Sequence, residues 1–213
     1  MSNDDPAWSS GAIHAGSHNR RNPVVLGHIR VDDMKVASRV HSLLALLPSL
    51  ISRFEHALSL LDFLDSSIEM AKSEGLPLQA RTYYHDWQMV AARDAAVTLN
   101  NFQDALRSIR GIAVGCRSLT VDQEELRKAE SVLDEALPHL KAVRHAVGHV
   151  ADSMTKDEHR PEGLLIGALL DGRTLMVARD KGYVEVRLDT STADCLNSIT
   201  DLAYRSFSPP SVG

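Results

Sequence analysis

The feature that most constrains this chain is an apolar stripe of helical period. Ile51, Phe54, Leu58, Leu61, Leu64 and Ile68 recur at steps of three, four and seven residues, the spacing that places side chains on one face of an α-helix. Such a face must be covered by other elements. Upstream, Val36, Val40, Leu43, Leu44 and Leu47 follow the same period from Asp32. Pro48 suits the first turn of a new helix, where a missing N–H costs nothing. Two helices are therefore expected before Gly75 and Pro77 stop the pattern.

A third helix is predicted over about 81–113, with Met89, Ala92, Ala96, Leu99, Phe102, Leu106 and Ile109 on one face. Thr120 and Gln123 have the form of a capping box for a fourth helix, which bears Leu126, Ala129, Leu133 and Leu137. Pro138 interrupts it, and a fifth segment runs from His139 to about Met154. The expected fold is mainly α, an antiparallel bundle of about five segments within residues 25–155. Residues 1–24, rich in Ser, Gly, Asn, Arg and Pro, read as a flexible tail.

After the charged stretch Lys156 to Gly163 the period changes from helical to alternating. Leu164–Leu170, the pair Asp171-Gly172 and Thr174–Ala178 predict a hairpin. Val184, Val186 and Leu188 then alternate with Glu185, Arg187 and Asp189 as a half-buried third strand. Asp189 to Ser191 can cap a final helix carrying Leu196, Ile199, Ala203 and Phe207. Residues 163–208 are thus expected to form a three-stranded β-meander plus helix, appended to the bundle.

Composition narrows the function classes. Aromatic residues make up 5% of the 213 residues and the formal charge is −5, so any RNA contact needs a local basic patch. Cys116 and Cys195 have no CxxC partner and read as reduced thiols. The acidic start lacks signal-peptide order. No uninterrupted apolar run approaches the ~18 residues that span a bilayer. A cytoplasmic protein without membrane attachment is the expectation. There is no P-loop, GxGxxG or GxSxG motif, hence no cofactor or nucleophile-elbow signature.

The most informative segment is Pro138 to Asp152. Leu140, Val143, Val147, Val150 and Met154 form one apolar stripe, Arg144 borders it, and His145 and His149 lie one turn apart on the far side. Arg144 and His149, five residues apart on a late helix of an all-helical bundle, resemble the motif of the HEPN superfamily. The common form of that motif has Asn after the Arg, where this chain has His145. The resemblance covers roughly residues 32–154 and implies a metal-independent endoribonuclease or RNA-binding protein. It implies a homodimer whose two motif helices face one cleft. Arg144 would contact phosphate, His149 would act as acid or base, and His145 would carry the complementary proton. Asp94, on the second face of the third helix, is the residue expected to orient Arg144.

Two other classes fit the same residues. His145 and His149 at one-turn spacing can chelate a metal, with His85, Asp86 or His56 completing the set. Alternatively the chain is a non-catalytic interaction or regulatory module, meeting a protein partner through Tyr204, Phe207 and the meander. In that case Arg144 pairs with a bundle carboxylate and His149 is a packed, hydrogen-bonded imidazole.

Overall fold

The computed structural model describes residues 34–115, 120–148, 167–179 and 182–207. Among the described residues are four helices, a three-stranded antiparallel sheet and a final helix, the mainly α order of elements that the periodicities predict. Helix α1 spans Met34–Ser73 and α2 spans Leu78–Gly115. At 40 and 38 residues they are about 60 and 57 Å long by helical rise. The chain reverses between them at Gly75, whose φ of 65° is the left-handed conformation that ends many helices. Cross-links from Asp65 to Gln88 and from Arg53 to Asp94 show that the two run antiparallel.

The first correction to the sequence reading concerns Pro48. It lies inside α1 rather than at a helix start, so the two expected N-terminal helices are one. A proline there removes the hydrogen bond to the carbonyl four residues back, and that carbonyl belongs to Leu44. The Tyr204 hydroxyl donates to it instead, at 3.1 Å. Packing on both sides then outweighs the local penalty, because Leu44, Leu47, Leu50 and Ile51 are all buried. Continuity through Pro48 also makes α1 long and apolar enough to cross a bilayer by length and composition, which the reading of separate runs did not expect. One apolar stripe of α1, with Phe54, Leu61 and Leu64 in it, faces the protein core, while Leu46, Leu60, Phe63 and Met70 are exposed.

Helix α3, Gln123–Ala136, starts two residues later than the expected capping box implies. Its N-cap is Asp122, whose side chain accepts from the amides of Glu124 and Glu125 at 3.0 and 3.1 Å. Asp122 satisfies two free amides with a single carboxylate oxygen and adds negative charge at the positive end of the helix dipole. The break at Pro138 is present, and α4 follows as Leu140–Gly148. Leu140 and Val143 are buried as predicted. Val150 and Met154 lie outside the described residues, as do the 1–24 tail, Cys116, and Lys156 to Gly163.

Strands β1 (Gly167–Leu170), β2 (Thr174–Arg179) and β3 (Gly182–Arg187) form a meander in the order β1-β2-β3. Asp171 and Gly172 take φ of 47° and 69°, the paired left-handed geometry of a type I′ turn. Leu175 pairs with Val186 and Val177 with Val184, so one sheet face is apolar and buried. It lies against α4, and β1 reaches α2. Helix α5, Thr190–Arg205, is capped by Asp189 and packs on α3 and α1. Buried side chains of the sheet and α5 belong to the same core cluster as those of α1 to α4. The C-terminal elements thus share the bundle's core rather than building one of their own.

Candidate functional site

Arg144 stands on the first turns of α4, and Val143 beside it anchors the helix in the core. Its side chain is 57% exposed, and Nη1 donates to Oδ2 of Asp104 on α2 at 2.7 Å. The same carboxylate oxygen accepts from Nδ2 of Asn100, one turn earlier, at 3.0 Å. Asn100 is 2% exposed. A buried amide thus fixes the carboxylate that in turn positions an open guanidinium. A guanidinium has five N–H donors, so the bond to Asp104 leaves donors for a second anion.

The expected orienting residue, Asp94, does not do this. Both of its carboxylate oxygens are engaged by Arg53 of α1, one of them through Nε at 3.3 Å. The carboxylate that meets Arg144 comes from the helix that was expected, but ten residues further on. Asp104 follows Val97 by seven residues, as Val97 follows Val90, so it continues the stripe on which Asp94 was sought. That heptad step is the signal in the sequence that points to Asp104. Asn100, buried and four residues before it, carries the supporting contact.

His149 lies outside the described residues, and of His145 only the backbone, within α4, is described. Among the other residues considered for a metal set, His85 hydrogen-bonds Gln88 through Nδ1 at 3.0 Å, and Gln88 donates to Asp65. Among the described residues no group of three or more His, Cys, Asp or Glu side chains is arranged to hold a metal ion.

More polar cross-links frame Arg144 along the C-terminal half of α2. Gln103 and Arg107 both donate to Asp134 of α3, at 2.9 and 3.0 Å, and Arg110 pairs with Glu130. Both arginines reach across to carboxylates of α3. Arg144 differs because its partner sits on α2, beneath it.

A cleft of about 490 Å³ opens elsewhere, between the α3–α4 corner, the sheet and the start of α5. Leu137, Glu185, Arg187, Ser191 and Cys195 line it. Arg187 is tied to Asp189 at 2.9 Å. Burial pushes the Cys195 thiol up, which keeps it protonated near neutrality and argues against a nucleophilic role. Neither Arg144 nor Asp94 is among the residues that line this cleft. No family model, no curated protein and no solved structure matches the chain.

Proposed function

We propose that this chain binds RNA through Arg144 and cleaves it without a metal, in the manner of the HEPN-like proteins its α4 segment resembles. One observation carries the reading: Arg144 is held outward by Asp104, which is itself fixed by the buried Asn100. A guanidinium held before its ligand arrives loses less freedom on binding a phosphate. With a net charge of −5, such a local contact has to replace general attraction between protein and nucleic acid.

The chemistry follows from the residue types. A base takes the proton of a ribose 2′-hydroxyl, the 2′-oxygen attacks phosphorus, and the bond to the 5′-oxygen breaks. An acid protonates that leaving oxygen, giving a 2′,3′-cyclic phosphate and a free 5′-hydroxyl. His149 serves as one of these proton carriers and His145 as the other, since imidazole titrates near neutral pH. Arg144 neutralises charge that builds on the phosphoryl oxygens in the transition state.

The test compares wild type, Arg144→Ala and His149→Ala on a structured RNA in EDTA, scoring cyclic-phosphate ends. The expectation is cleavage by the wild type and a loss of at least about 100-fold in either variant. Equal activity in all three would place the nuclease elsewhere in the sample. No cleavage and no RNA binding by the wild type would leave the non-catalytic interaction module.

A further inference from the structure

The chain is poor in aromatic residues, with Trp 2, Tyr 4 and Phe 4, yet it turns three of them outward on the α1–α2 hairpin. Phe63 is 64% exposed, Tyr83 60% and Trp87 45%. Tyr83 and Trp87 meet edge to face, with ring centroids 6.3 Å apart. Leu60, Val90 and Val97 are exposed beside them. On α2, Tyr83, Val90 and Val97 repeat every seven residues, as do Leu46, Arg53 and Leu60 on α1. Seven-residue spacing keeps a stripe aligned with a neighbouring helix. These stripes are additional to the buried one and have no cover within the described residues.

The Arg53–Asp94 ion pair lies within this face and ties its two helices together. Between the Arg53–Asp94 and Asp65–Gln88 links of this antiparallel hairpin, Leu60 falls near the height of Val90 and Phe63 near that of Trp87. A two-fold axis parallel to the helices would set α1 of one copy over α2 of another without changing heights. Leu60 of each copy then comes level with Val90 of the other and Phe63 with Trp87, and Arg53 of each meets Asp94 of the other. The four charges form a ring of alternating sign between apolar layers. The face is complementary to itself, which is what an isologous interface requires.

We propose that the α1–α2 face is covered by a second copy of this chain, giving a four-helix arrangement with Arg53 and Asp94 paired across the two-fold. The six apolar residues expose roughly 600 Å², and the Arg53 and Asp94 side chains bring the face close to the ~800 Å² per partner of a stable interface. A patch of that size is at or above the upper end of what monomers leave open. Tyr and Trp near its centre are the side chains that dominate interface energy. This surface is distinct from α4, and the proposal does not depend on Arg144 being catalytic.

Sedimentation of the full chain at micromolar concentrations tests it. The wild type should be a dimer. Arg53→Asp and Asp94→Arg should each weaken it by at least about 100-fold, since each places like charges across the interface. An equal mixture of the two variants should recover the dimer, because each then supplies the charge the other lacks. Circular dichroism checks that both variants fold, and Phe63→Ser with Trp87→Ser gives an independent route to the monomer. A wild type that stays monomeric overturns the proposal, whether or not it binds neutral phospholipid vesicles. A dimer indifferent to all these changes, or a mixture that stays monomeric, overturns it too.

Discussion

The hydroxyl of Tyr204 on α5 donates, at 3.1 Å, to the carbonyl of Leu44 on α1, the one carbonyl that Pro48 deprives of its helical donor. The contact joins residues 160 positions apart and replaces a hydrogen bond the helix cannot make for itself. Tyr204→Phe should therefore destabilise the protein by about 1 kcal/mol, the usual net worth of such a bond. Pro48→Ala restores the missing N–H and should stabilise it by roughly 1–3 kcal/mol. On the Pro48→Ala background the cost of Tyr204→Phe should shrink by about 0.5 kcal/mol or more. Urea unfolding of the four proteins measures this coupling, and strict additivity would refute the link.

Asp104 and Arg144 form an exposed pair, and exposed pairs contribute little to stability. Asp104→Ala also takes its acceptor from the buried Asn100 amide, however, and should lower the unfolding free energy by about 1–3 kcal/mol. If the guanidinium needs its carboxylate to face a phosphate, the same variant should lose about 10-fold or more in RNA binding or cleavage. Asp94→Ala, which releases Arg53 instead, should leave the RNA activity per molecule unchanged when assayed beside it. Equal losses in the two variants would show that Asp104 has no special relation to Arg144.

Gly172 has a φ of 69°, and a Cβ placed on it would come within 2.8 Å of Oδ1 of Asp65. Asp65 is also held by Arg173 at 3.1 Å and by Gln88. Gly172→Ala thus combines backbone strain with displacement of the carboxylate that ties the β1–β2 turn to α1. The expected loss is about 1–3 kcal/mol, read from the thermal or urea midpoint. Gly111→Ala is the control: that position is helical with open space around it, and it should gain up to about 1 kcal/mol.

At the start of α5, burial alone would raise the Asp189 carboxyl, but other contacts outweigh it. Hydrogen bonds from the Ser191 hydroxyl, the Thr192 amide and the Thr192 hydroxyl, together with the charge of Arg187, hold it below its ordinary value of 3.8. A group depressed in the folded state adds stability above its unfolded pKa and loses it as pH falls through the folded one. Asp189→Ala should cost about 1 kcal/mol at neutral pH, as expected for a lost N-cap. That difference from wild type should fade below about pH 4. A cost that stays constant down to pH 2 would mean the cap acts without its charge.

Local order could be read residue by residue, because period and turn chemistry are local properties. The stripe from Ile51 to Ile68, the interruption at Pro138, the Asp171-Gly172 turn, the alternation of Val184, Val186 and Leu188 and the Asp189 cap all recur in the fold as expected. Pro48 did not follow its local preference, because the hydroxyl that satisfies Leu44 arrives from the far end of the chain. Asp94 and Asp104 illustrate the same boundary. Both are aspartates on the outer side of one long helix, and although the heptad step from Val97 reaches Asp104, it does not name the partner of either. Which of them meets Arg144 depends on where α4 crosses α2 and where α1 lies beside it. Helical phase settles the face of a side chain, but only packing between distant segments settles its neighbour.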